Sequence, residues 1–160
     1  MTAIHPRAAE LIAKLELERH PEGGYYREIF RSADLVAPAD GRGPRAALTT
    51  IYFLLPAGIV SRWHRVTSDE VWHLYEGGPL EVLSVDPAFS ALSCHKLEAH
   101  APVCTVAAAH WQAARTLGDY ALTGCTVGPG FDFEDFTILG NDAAETARLL
   151  ALDPELASLI

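Results

Sequence analysis

The rhythm of hydrophobic and polar positions changes twice along the chain. Over residues 6–19, "PRAAELIAKLELER", the apolar Ala9, Leu11, Ile12, Leu15 and Leu17 fall close to one helical face, with Pro6 near the start, so a helix is predicted there. Pro21 and the Gly23-Gly24 pair end it, and "YYREIFRS" then alternates as a strand does. Residues 37–46, "APADGRGPRA", read as a mobile Pro/Gly-rich surface loop. From 47 to 139 the texture is strand, turn, strand. Strands are predicted near 47–55, 60–64, 70–75, 80–86, 91–97, 103–106, 111–115, 120–127 and 134–139, separated mostly by Gly, Pro, Asp and Asn. Short strands at close, even spacing indicate an all-β sandwich or barrel rather than βαβ units. Residues 141–160 return to a helical pattern, with Asn141 or Asp142 as the cap and Ala147, Leu149, Leu150 and Leu152 as its apolar positions. The expectation is a single mainly β domain over 1–160: a barrel over about 22–139, with helices near 6–19 and 142–152 outside it.

Composition narrows the class. A chain of 160 residues with 49% hydrophobic and 21% charged side chains can bury a sizeable core and reads as soluble and globular. The apolar run "ALTTIYFLLPAGIV" (47–60) is cut by Pro56 and Gly58, short of the roughly 18–20 residues of a membrane span. The first twenty residues are charged and amphipathic, without the apolar stretch of a secretory signal, so a cytoplasmic location is expected. A net charge of −9 with scattered basic residues argues against nucleic acid or membrane as partner. An anionic small molecule remains open, because one arginine can grip a phosphate or carboxylate. Cys94, Cys104 and Cys125 lack CxxC spacing and read as reduced, mostly buried packing residues.

Chemistry concentrates in "GIVSRWHRVTSDEVWHLYEGG", residues 58–78, where His64, Glu70 and His73 interrupt a β-prone stretch. Strand alternation sends Glu70, Trp72 and Leu74 to one face and Val71, His73 and Tyr75 to the other. His73 then belongs on the outer sheet or a dimer face. His64 sits across the Thr67-Ser68-Asp69 turn and can meet Glu70 over the hairpin. Three readings stay open: a metal site, a metal-free acid/base pocket, or a solvated hairpin.

The same stretch resembles the first motif of the cupin superfamily, G-x5-H-x-H-x3-E-x6-G. Gly58, His64, Glu70 and Gly77 stand at the right spacings, with Val66 where the second histidine would be. The second motif, G-x5-P-x-G-x2-H-x3-N, fits in spacing alone, at Ala101, Ala107, Ala109, Gln112 and Thr116. "HPEGGYYREIFRS", "HRVTSDEVWHLYEGGPL" and "HWQAARTLGDYALTGCTVGPGFDFEDFTIL" together resemble the DUF985, or cupin_5, family from about residue 10 to about 139. That resemblance implies an antiparallel double-stranded β-helix (the jelly roll), usually in a homodimer.

The resemblance implies little about reaction, since cupins host many chemistries. Some epimerases of the superfamily use a barrel histidine as base without metal, and His64 resembles that base in location. On this leading reading no cofactor is expected in an isomerase or epimerase. There His64 removes a proton beside a carbonyl, Glu70 holds its ring, and Gln112 or Arg115 polarises the oxygen. Tyr26, Tyr52 and Tyr120 are the candidate acids; Glu22, Tyr26, Arg27 and Glu28 of "PEGGYYRE", together with Trp72, Phe131, Phe133 and Glu134, are candidate pocket residues. The alternatives are a metal-dependent dioxygenase or lyase with His64, Glu70, Gln112 and His110 around Fe, Mn, Ni or Zn, and a non-catalytic metabolite-binding protein. No nucleotide fingerprint is present, since "GRG" at 41–43 lacks the full G-x-G-x-x-G run.

Overall fold

A computed structural model describes residues 4–160. Helix α1 (Pro6–Lys14) starts under a cap in which the His5 imidazole accepts the Arg7 N–H at 3.2 Å, with Pro6 needing no partner for an amide it lacks. The helix stops well short of residue 19. Glu16 adopts a left-handed φ of 53°, and Glu18–Arg19 leaves as strand β1 to pair with Tyr25 and Tyr26 of β2 (Tyr25–Arg31). Leu17 therefore reaches the apolar cluster under α1 from extended chain rather than from a helical turn.

The remaining strands are β3 (Leu35–Val36), β4 (Arg45–Ala46), β5 (Thr49–Pro56), β6 (Val60–Val66), β7 (Asp69–Gly77), β8 (Leu80–Val85), β9 (Leu92–Leu97), β10 (Val103–Val106), β11 (Trp111–Thr116), β12 (Tyr120–Gly128) and β13 (Phe136–Ile138), followed by helix α2 (Ala143–Leu152). All pairings are antiparallel. One sheet runs β1-β2-β5-β12-β7-β10, the second β13-β6-β11-β8-β9, and β3-β4 form a separate ribbon. From β5 to β13 the chain alternates between the two large sheets, except at the β8-β9 hairpin. This winding is a double-stranded β-helix, the jelly roll that the resemblance implies.

Three apolar clusters hold it. Between the sheets, Phe53, Leu55, Trp72, Leu80, Val82, Leu97 and Ala121 fill one end of the barrel. On the outer face of the five-stranded sheet, Trp63, Val85, Trp111, Leu139, Leu149, Leu156 and Leu159 bury the C-terminal segment. The Trp63 indole N–H donates to the Leu156 carbonyl at 3.3 Å, and Trp111 donates to Glu145, also at 3.3 Å. On the outer face of the six-stranded sheet, α1 lays Ala8 and Leu11 over Leu54 and Leu122.

The predicted strand at 134–139 is replaced by a 3-10 turn (Phe133–Asp135) and the three-residue β13. The Pro/Gly-rich loop is tied to that turn: Arg42 and Arg45 both reach Asp135 Oδ2, at 3.1 and 2.8 Å.

Two irregularities of register shape the barrel interior. Gln112 faces His64, but Ala114 faces Ser61, so β6 carries one extra residue between those partners. That bulge turns both Ser61 and His64 inward, although three positions apart, and sends Trp63 to the outer core. In β2, Glu28 faces Ile51 and Arg31 faces Thr49, again with one extra residue, so Glu28 and Arg31 share the inner face.

Candidate functional site

The barrel end away from the apolar filling holds a cavity of about 280 Å³ lined by polar and aromatic side chains. His64 and Glu70 both line it, 2% and 7% exposed. They come from facing sheets, as alternation along β7 and the bulge in β6 require. The partner of His64 is nevertheless a different carboxylate: His64 Nε2 lies 3.1 Å from Glu22 Oε2, a residue 6% exposed.

Glu22 is delivered by a tight turn. His20 N–H donates to the Gly24 carbonyl at 3.1 Å, Gly23 N–H to the His20 carbonyl at 3.0 Å, and the Arg62 N–H of β6 to the Glu22 carbonyl at 2.8 Å. Gly23, with φ of 114°, passes so close to β6 that any Cβ would strike the Val60 carbonyl. The Ser61 hydroxyl, turned inward by the bulge, donates to Glu22 Oε1 at 2.7 Å.

Proton positions follow from what each partner can do. His64 Nδ1 is 2.7 Å from the Arg62 carbonyl, which only accepts, so Nδ1 carries a proton and Nε2 is the nitrogen facing Glu22. His20 Nδ1 accepts the Glu22 N–H at 3.3 Å and so has no proton of its own. Burial, then the nearby His64, hold the His20 imidazole down at about 3. Burial also lowers His64, against the raising pull of Glu70 and of its bond to Arg62. The carboxyls move the other way. Burial pushes Glu22 up to about 8 despite Ser61 and Arg62, and pushes Glu70 up to about 7, opposed by His64 and assisted by Glu22. At neutral pH Glu22 is mostly protonated, and its hydroxyl donates to His64 Nε2.

Beneath Glu70 a relay fixes the floor. The Trp72 indole only donates, so Gln112 Oε1 is the atom accepting it at 3.0 Å, and the Gln112 amide NH₂ is left to donate to Glu70 Oε2. Trp72 and Gln112 are 1% and 0% exposed, below the cavity rather than on its surface.

Tyr26, Phe131 and Phe133 line the walls. Other predicted site residues lie elsewhere. Arg27 points outward and pairs with Glu16 at 2.7 Å, because Tyr26 and Glu28 hold the inner positions of β2. Arg115 pairs with Glu81 at 2.6 Å on the outer side of its sheet. Glu134 is exposed beside Arg45, since the 3-10 turn breaks the alternation assumed for it. His110 precedes β11 in a turn and contacts the Ala108 carbonyl. Tyr120 donates to Glu76 outside the barrel, and Tyr52 packs against Tyr75 on the outer face. Glu28 of "PEGGYYRE" lines the cavity as expected, and His20, Glu18, Arg31 and Cys125 line it although the sequence pattern does not single them out. "HPEGG" holds the one usable signal, a histidine and a carboxylate next to a glycine pair that permits close backbone approach.

A family model for the cupin superfamily (DUF985), Cupin_5, matches residues 9–139. The chain belongs to the Cupin_5 family. Two solved structures, a hypothetical protein from Leishmania major and a protein from Shewanella oneidensis, each share 32% identity with it, over 95% of this chain and 96% of theirs, at a TM-score of 0.81. Oxalate decarboxylase from Bacillus subtilis shares the fold at 17% identity and a TM-score of 0.59, covering 89% of this chain and 36% of that one. No protein of curated function matches the chain by sequence.

Cupins commonly hold a metal, and the residues of this Cupin_5 barrel do not fit one. Val66 stands at one ligand position, Gln112 is engaged by Trp72 and Glu70, and His64 has both nitrogens committed. His110 does not line the cavity, and among the described residues no group of three or more His, Cys, Asp or Glu has ligating geometry.

Proposed function

We propose that this Cupin_5 protein is a metal-independent isomerase or epimerase of a small carbonyl compound, with Glu22 and His64 acting as one acid/base unit. The single observation behind the reading is the buried 3.1 Å contact between Glu22 Oε2 and His64 Nε2 at the floor of an open cavity. One proton lies between the two groups. When Nε2 holds it, Glu22 is a carboxylate and takes the proton from a C–H beside the substrate carbonyl. The C–H electron pair becomes the new C=C bond, and the former C=O π pair moves onto oxygen. The unit becomes cationic as the substrate becomes an enolate, so the charges formed are neighbours. Glu70, kept substantially protonated by burial, donates to the enolate oxygen, the task that the sequence pattern gives to Gln112 or Arg115. Return of the proton to the opposite face, once the enolate has turned over in the cavity, epimerises the carbon. In a 2-hydroxy carbonyl compound the hydroxyl proton passes to the enolate oxygen, and return of the carbon proton to the former carbonyl carbon isomerises the compound. The three unpaired cysteines suit a reducing cytoplasm.

The test is solvent exchange. Incubation with aldoses, ketoses and 2-hydroxy ketones in D₂O, followed by proton NMR, should show deuterium entering beside a carbonyl. Glu22→Gln and His64→Ala should each slow it by about 10²–10⁴. The rate should be greatest on the acid side of neutrality. Above about 7 Glu70 ionises and stops donating, while at low pH His64 becomes protonated with Glu22 still neutral and the base is lost. Exchange that is absent, or unchanged in both variants, leaves a binding protein.

A further inference from the structure

The cavity is poor in free positive charge. Glu18, Glu28 and Asp132 line it beside the largely neutral Glu22 and Glu70, against Arg31 as the lining residue with a permanent positive charge. Arg31 is committed: its Nε and terminal nitrogen bind the two Glu28 oxygens at 2.9 and 2.7 Å, and that nitrogen also donates to the Phe131 carbonyl at 3.0 Å. Nearby Arg62 is spent on the Pro21 and Glu22 carbonyls, and Arg42 and Arg45 on Asp135. Among the described residues Glu18 and Asp132 make no ion pair; Glu18 lies beside Tyr26, and Asp132 feels Arg31 and Arg45 only at a distance, since those guanidinium groups bond Glu28 and Asp135. Deeper in, Glu70 is more than nine-tenths buried and lines the cavity, with Gln112 donating to one oxygen and the Cys125 thiol beside it.

The walls are aromatic. Phe131 and Phe133 meet edge to face at 5.0 Å, Phe133 stacks on His20 at 6.2 Å, and Tyr26 meets His20 at 4.6 Å. Aromatic faces next to carboxylates that no guanidinium contacts directly attract an organic cation and repel an anion.

We propose that the cavity takes a small ammonium-bearing molecule, its positive group held by the faces of Tyr26, Phe131 and Phe133 and by the carboxylates of Glu18 and Asp132. The inference rests on the reading of this cavity as the reaction site and names its substrate class: an amino-carbonyl compound, with the amine toward the aromatic wall and the carbonyl toward Glu70. An ammonium group near the reacting carbon also withdraws electrons and makes the C–H easier to ionise. A phosphorylated or nucleotide-linked substrate would meet like charge.

Triples of similar size that differ in charge provide the test: glucosamine, glucose and gluconate; putrescine, butanediol and succinate; choline, 3,3-dimethylbutanol and 3,3-dimethylbutyrate. Isothermal titration should find at least one ammonium member that binds, and binds at least tenfold tighter than both counterparts. Glu18→Gln with Asp132→Asn should cut that preference at least tenfold; Asn still caps the turn at 132. Neutral or anionic members binding as tightly, or no ammonium member binding at all, would overturn the proposal. His64→Ala leaves these walls in place and should keep the ammonium preference while losing exchange. Exchange without that preference removes the substrate assignment alone; ammonium preference without exchange in the wild type removes the proton-transfer reading alone.

Discussion

Glu22 shows how one side chain can set both chemistry and stability. In the fold its carboxyl titrates at about 8 and that of Glu70 at about 7, both above the ordinary 4.5. The folded protein holds these protons when the unfolded chain has released them. The stability they contribute is complete below about 4.5 and is lost as pH rises through 7 and 8. His20 works in the opposite sense, favouring the fold above its ordinary 6.5 and losing that contribution as pH falls toward 3. The melting temperature should therefore fall from pH 6 to pH 9, measured by circular dichroism. Glu22→Gln and Glu70→Gln should each flatten that decline, because an amide has no proton to lose. An unchanged slope in both variants would mean that neither carboxyl is held neutral.

At the level of elements, the strands between 49 and 128 lie close to the runs predicted from alternation and turn residues, since each strand's pattern is set by its own two faces. The apolar stripe overextends helix α1 because Leu15 and Leu17 continue it, while the actual break at Glu16 is stabilised by pairing with Tyr25 and Tyr26. Bulges are harder still to foresee: the extra residue in β6 is defined by the register of β11, not by anything in "VSRWHRV". For the same reason Ser61 and Glu22 are invisible as partners in the sequence, although His64, Glu70, Tyr26 and Phe131 are legible from motif and parity. The outer core gives a separate test. Leu149 is fully buried against Trp63, Trp111 and Leu139. Leu149→Ala should cost about 2–5 kcal/mol in urea unfolding. It should leave ligand binding intact, because α2 lies across the sheet from the cavity. A loss under about 1 kcal/mol would show that the C-terminal segment closes over the gap.

For the whole molecule, the resemblance implies a homodimer, and an open edge of β2 is one place where a second copy could add a strand. In the structure β1 covers that edge at Tyr25 and Tyr26, leaving the stretch beyond them open. The outer face of the six-stranded sheet, where Tyr52, His73 and Tyr75 cluster beside the half-exposed Val103, is the surface on which a second copy is expected. Tyr75 lies flat over Gly124, where a Cβ would collide with its ring. Light scattering should return twice the 17.3 kDa chain mass, and Tyr75→Glu should halve it with the β-sheet spectrum retained. A wild-type mass of one chain would remove the dimer. The closed end of the barrel has a kinetic consequence. Packed Leu80, Val82, Leu97 and Ala121 block passage beyond the floor, so in the proposed reaction reactant and product would share one doorway, and a second reactant would have to queue behind the first. Such a blind chamber suits a one-substrate rearrangement and makes its own product a competitive inhibitor.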